Sequence, residues 1–160
     1  MSRRRTLTGL AVVSMLILGF VGSDVQAGHK GQLVLRIQND MTTFETTGTT
    51  PPGGAGAFYV RGTICKDPDP AAAECETNGD FHCWGWIPAA GGPFLVSQEF
   101  IIDGRGAISV QGIEDFGATF VNRSVVGGTH KFRNVRGEMI SATPPDGGEF
   151  VVTFKLIGAR

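Results

Sequence analysis

The side chains able to do chemistry in this chain are few, and they fall at strand-like spacing. Three carboxylates stand out. Asp40 and Glu114 each close an alternating apolar run, and Glu99 sits between Gln98 and Phe100 inside another. Asp40 and Glu114, with Asp115 beside it, end strands that could converge at one rim of a barrel and there serve as acids, while Glu99, if enclosed by apolar groups, would keep a proton to donate; solvated carboxylates are the ordinary alternative for each. Two further groups share strand faces, where alternate residues line up. Tyr59, Arg61 and Thr63 fall on one face of a run whose other face carries Phe58, Val60 and Gly62. His82, Trp84 and Trp86 fall opposite Cys83, Gly85 and Ile87 in the next run. Two indoles and an imidazole make a wall that could stack on a planar ligand, with His82 in reach of a proton transfer, or that could equally be packed core or a subunit interface.

Other chemistries are excluded. No serine lies in a nucleophile elbow, no phosphate loop of the required spacing exists, and no His-x-x-x-His pair suggests zinc. The acidic stretch holding Asp67, Asp69, Glu74 and Glu76 lacks the spacing and turn glycine of a calcium loop and reads as a solvated loop. Cys65, Cys75 and Cys83 have no paired close spacing, so no metal site is expected. In an oxidising compartment one disulfide with one cysteine left over is the default. A hairpin joining the runs that hold Cys65 and Cys83 would bring those two together across the acidic loop, with Cys65 to Cys75 as the second choice.

The elements that must position these groups are strands. Apolar-alternating runs recur between Gly, Pro and Asp punctuation at residues 32–39, 57–65, 81–87, 94–102, 107–113, 119–126, 135–142 and 149–157. No window has a helical period, and 24 glycines weigh against long helices, so helix is confined to a turn near Thr129 to Phe132. The expected fold is all-β, an eight-stranded antiparallel barrel whose interior is either filled or holds one small ligand. Two longer connections, at 41–56 and 66–80, interrupt the meander.

Residues 1–27 read as an export signal: Arg3, Arg4 and Arg5 begin it, Leu10 to Val21 is apolar, and Val25-Gln26-Ala27 is a small-residue cleavage site. The apolar stretch is shorter than the ~20 residues that span a bilayer, so no permanent membrane anchor is expected. Cleavage after Ala27 predicts a secreted or periplasmic protein with a single domain over 28–160. Loss of three arginines and Asp24 leaves 11 basic and 14 acidic residues, scattered along the chain, which is unsuited to nucleic acid. Asn122-Arg123-Ser124 is a glycosylation acceptor if the host secretes through a eukaryotic pathway.

The run Ser124-Val125-Val126-Gly127-Gly128-Thr129-His130-Lys131-Phe132-Arg133-Asn134-Val135-Arg136-Gly137 joins two of these strands through a glycine-punctuated turn. Its adjacent glycines allow backbone angles closed to other residues, and Phe132 supplies an apolar anchor. With Gly56-Ala57-Phe58-Tyr59-Val60, Ser97-Gln98-Glu99-Phe100-Ile101-Ile102, Gly106-Ala107-Ile108-Ser109-Val110 and Glu149-Phe150-Val151-Val152-Thr153-Phe154 in the same order, the chain resembles the dirigent proteins and the allene oxide cyclase barrel group. The resemblance covers most of 28–160. It implies a barrel that binds a small apolar or aromatic molecule and steers its cyclisation or coupling without metal or organic cofactor, and that associates as a homo-oligomer. It directs Tyr59 into the cavity, against the ordinary rule that a polar face points to water. Arg61 stands where the family carries an aromatic group. Asp40 and Glu114 become the acids by this comparison, although the second acidic position can also fall on Gly112. The competing expectation is a secreted barrel without catalysis, a carrier or structural subunit, because fold does not set function.

Overall fold

The computed structural model describes residues 31–48, 56–88, 92–115, 117–142 and 148–158. The expected leader at 1–27 lies outside the described residues. Eight strands run β1 (Gln32–Gly48), β2 (Gly56–Cys65), β3 (Thr77–Ile87), β4 (Phe94–Ile102), β5 (Gly106–Glu114), β6 (Phe120–Gly128), β7 (Arg136–Ala142) and β8 (Glu149–Ile157). Each pairs antiparallel with the next, and β1 closes on β8 with Leu33 opposite Phe154 and Ile37 opposite Phe150. The chain is therefore a closed eight-stranded antiparallel barrel.

Alternation explains which face goes in. Leu33, Leu35 and Ile37 on β1, Phe58, Val60 and Ile64 on β2, and Val96, Phe100 and Ile102 on β4 are all buried at period two. Tyr59, Arg61, His82, Trp84, Trp86 and Glu99 occupy the opposite parity, and Trp84 and Trp86 are 42% and 57% exposed. The polar face of β2 points outward, as in an ordinary soluble barrel, and the inward set is the apolar one. This corrects the expectation that Tyr59 enters the cavity, and it leaves Arg61 and the Trp84 and Trp86 wall on the outer face rather than against an enclosed ligand.

One end of the barrel is filled. Phe100 is fully buried, with Phe81 and Phe154 ring centroids 5.0 and 5.1 Å away. The 3-10 turn His130–Phe132 plugs this end with Phe132, over which the Arg105 guanidinium sits at 5.1 Å. The turn needs Gly128 for a reason other than backbone angle. Positive φ occurs at His130 (49°) and Asn134 (64°), not at Gly127 or Gly128. A Cβ on Gly128 would instead fall 2.7 Å from the Phe132 Cβ and 2.6 Å from the Ala107 carbonyl oxygen, so the bare backbone admits the plug.

The disulfide joins Cys65 to Cys75, and Cys83 is free and buried. The register rules out the expected Cys65–Cys83 bond. Cys65 lies opposite Thr77, whereas Cys83 lies opposite Val60, six residues further along β3. At ~3.3 Å per residue that offset is about 20 Å, far beyond the separation a disulfide spans. The bond instead straps the acidic loop over the outside of the sheet. There Arg36, only 3% exposed, donates to both Glu149 carboxylate oxygens (2.7 and 3.0 Å) and to the Asp69 and Glu74 carbonyls (3.2 and 3.3 Å).

Candidate functional site

Opposite the plugged end, the barrel opens into a cavity of about 520 Å³. The ends of β1, β3, β5 and β7 and the starts of β2, β4, β6 and β8 surround it. Met41, Phe44, Phe58, Val60, Phe81, Phe94 and Phe150 form an apolar wall, in which Phe58 stacks on Phe44 at 6.0 Å and meets Phe94 edge-on at 5.7 Å. Phe44 gets there because the β1–β2 register shifts between Asp40 and Glu45, a bulge that bends the end of β1 over the mouth.

The opposing wall is polar. Cys83, Gln98, Glu114 and Ser141 line the cavity from β3, β4, β5 and β7, and Arg123 on β6 lies behind them, 3% exposed. Arg123 Nη2 donates to Glu114 Oε2, and Nη1 donates to Gln98 Oε1 (3.3 Å) and Ser141 Oγ (3.2 Å). Gln98 Nε2 in turn donates to the Cys83 sulfur at 3.6 Å.

Burial raises the Glu114 pKa above the usual carboxylate value, and the Arg123 charge and the Asp115 backbone amide only partly offset that. Glu114 is thus held closer to neutral pH than a solvated acid, as a proton donor requires. Burial also lowers Arg123, yet a guanidinium remains a cation at neutral pH. Burial pushes the Cys83 thiol up to about 12, so it is a neutral wall group rather than a nucleophile.

Of the acids and ligand-binding residues singled out by sequence, Glu114 alone lines this cavity; Cys83, expected in a disulfide, lines it as a free thiol. Asp40 is exposed beside the bulge, its carboxylate accepting from the Thr42 amide (3.1 Å) and hydroxyl (2.5 Å). Glu99 is on the outer face directly across from His82, and His82 lies across from Arg61. The Tyr59 hydroxyl is 2.5 Å from His82 Nδ1 and the two rings stack at 5.9 Å, so this pair is satisfied outside the barrel. No group of three or more His, Cys, Asp or Glu among the described residues is arranged to hold a metal ion.

Sequence reasoning passed over Gln98, Arg123 and Ser141. A signal existed. Each is a polar residue at the parity of buried apolar neighbours: Gln98 between Val96 and Phe100, Arg123 between Val121 and Val125, Ser141 after Met139.

No protein-family model matches the sequence, and no curated protein sequence matches it. Solved structures do. A pyocyanin demethylase superposes with a TM-score of 0.61 at 14% identity, over 79% of this chain and 99% of the other. Two pterocarpan synthase dirigent proteins each superpose with a TM-score of 0.56 at 14% identity, over 78% of this chain and 91% and 81% of theirs. At such identity the likeness establishes the fold: this is a dirigent-like barrel.

Proposed function

We propose that the barrel binds a small, largely aromatic molecule in its mouth cavity and steers its cyclisation or coupling, with Glu114 as the acid. The observation that carries this reading is the two-sided cavity, a phenylalanine-rich wall facing a hydrogen-bonded polar one. About 520 Å³ is the volume of an ordinary small-molecule site. Flat apolar ligands gain from the aromatic side, and the polar side orients them. Holding a reactive intermediate in one conformation lowers the entropic part of its barrier, and one proton donor manages developing charge. Among the solved structures of similar fold, one is named as a pyocyanin demethylase and two as pterocarpan synthase dirigent proteins, which supports a small-molecule ligand. No metal or organic cofactor enters this scheme.

The leader-like residues 1–27 and the Cys65–Cys75 bond both support an exported protein. A homo-oligomer completes the proposal. Trp86, Leu95 and Ile113 lie directly opposite one another across β3, β4 and β5 on the outer face, exposed by 57%, 66% and 46%, a row suited to burial against another copy. A carrier without catalysis is the second reading, favoured by the engagement of Glu114 with Arg123.

Calorimetric titration with pyocyanin and with a pterocarpan tests binding. Saturable binding that Val60→Trp abolishes, by filling the cavity from the inward face of β2, supports the proposal. Binding undiminished in that variant places the ligand elsewhere, and turnover lost in Glu114→Gln separates catalyst from carrier.

A further inference from the structure

Gly112 on β5 and Arg123 on β6 face each other directly in the ladder, both at the inward parity. A Cβ built on Gly112 would stand 2.9 Å from the Arg123 Cγ, closer than real Cβ atoms approach, and a tight 3.1 Å from its Cβ. The missing side chain is therefore the space that the Arg123 stem occupies. From that bed the guanidinium reaches Glu114 on its neighbour strand, Gln98 on β4 and Ser141 on β7. Its side chain is 1% exposed, and its Nε has no hydrogen-bond partner. The guanidinium thus leaves its Nε–H unused while serving three acceptors on three strands. A planar fork suits this task, whereas a lysine ammonium offers one point of attachment.

We propose that Gly112 and Arg123 form a positioning pair, in which the bare backbone at 112 seats the arginine stem so that its guanidinium holds Glu114, Gln98 and Ser141 as one preset polar arc. The importance of this arc for a ligand rests on the reading of the cavity as a binding site; the pair itself does not. Arg123 acts through Glu114 and is a positioning residue. The charged groups acting on the Glu114 carboxyl are Arg123 from β6 and Asp115 beside it in sequence, with the neutral Cys83 thiol approaching from β3. Gly112 is also the position to which the family's second acid could be assigned. Here it contributes space, and the carboxyl comes from Glu114.

Carbon-13 NMR titration of the glutamate carboxyls tests this without any ligand, so failure to find a ligand and failure of the pair are separate results. In Arg123→Gln, Glu114 titrates at a higher pH than in the wild type, because the Arg123 charge that lowers it is gone. Gly112→Ala keeps the charge but displaces the stem, and it too shifts Glu114 upward. Arg123→Lys retains a cation, so Glu114 shifts less, but the Gln98 side-chain amide signals move because the fork is gone. If Arg123→Gln does not fold, the other two variants still decide. A Glu114 titration identical to wild type in folded Gly112→Ala, or unmoved Gln98 amide signals in Arg123→Lys, overturns the proposal.

Discussion

Replacing Cys75 by serine cuts the strap that holds the acidic loop to the outer sheet, and its cost follows from the spacing. The bond joins residues ten apart. For a loop of that length, the chain-entropy model assigns about 2.7 kcal/mol to the crosslink at 25 °C. The strap also presents the Asp69 and Glu74 carbonyls to Arg36, and losing both would add about 1 kcal/mol each. The Lys66 amide still donates to the Glu76 carbonyl (2.8 Å), so part of the loop stays docked. The expected loss is thus about 3–5 kcal/mol, the lower value if the docked part of the loop keeps both Arg36 bonds, lowering the melting temperature by roughly 10–15 °C for a domain of this size. Urea unfolding of Cys75→Ser beside the wild type reads it, and adding reductant to the wild type should give a similar loss. Peptide mapping without reduction should show Cys65 joined to Cys75, with Cys83 alkylated only after unfolding. Stability within about 0.5 kcal/mol of wild type, or a mapped bond to Cys83, would refute the reasoning.

Phe100→Ala removes the ring between Phe81 and Phe154 and should cost about 3–5 kcal/mol in denaturant unfolding. Because the folded Glu114 pKa lies above the unfolded one, its contribution to stability is full below the ordinary value near 4.5 and is lost as pH rises through the folded value. Glu114→Gln removes that loss, so the stability of wild type relative to the variant should fall with rising pH from about pH 4.5 upward, and a gap that widens in favour of wild type would contradict the assignment. Trp84→Ser and Trp86→Ser, both on the outer face, should each change stability by no more than about 0.5 kcal/mol in the monomer and leave ligand affinity unchanged in calorimetry.

The barrel was legible because its strands alternate cleanly. The run at 94–102 matches β4 at both ends, and the helical turn near Phe132 is where it was expected. β1 and β3 run longer than their alternation suggested. β1 continues through polar Thr42, Thr43 and Thr46 by way of a bulge, and β3 begins at Thr77 in what reads as acidic loop. Neither extension has an apolar period to reveal it. Parity was legible from β2 itself, since polar Tyr59, Arg61 and Thr63 belong outside, and the family resemblance pointed the wrong way. The tryptophans misled for a different reason. Large aromatic residues suggest a binding wall or core, yet the β3 residues facing in are Phe81, Cys83 and Ile87. The disulfide depended on register, which a hairpin drawn from sequence does not specify to the residue. The polar arc depended on asking why Gln98 and Arg123 share a parity with buried valines.

Mapping a bound ligand by NMR tests the central claim most directly, since the account places binding inside the barrel and both tryptophans outside it. With pyocyanin or a pterocarpan added to isotopically labelled protein, the ring signals of Phe58, Phe94 and Phe150 and the Gln98 side-chain amide should shift in a saturable way. The two indole N–H signals of Trp84 and Trp86 should stay in place. Saturable shifts of the indole signals with a silent interior would contradict the account and move the site to the outer face.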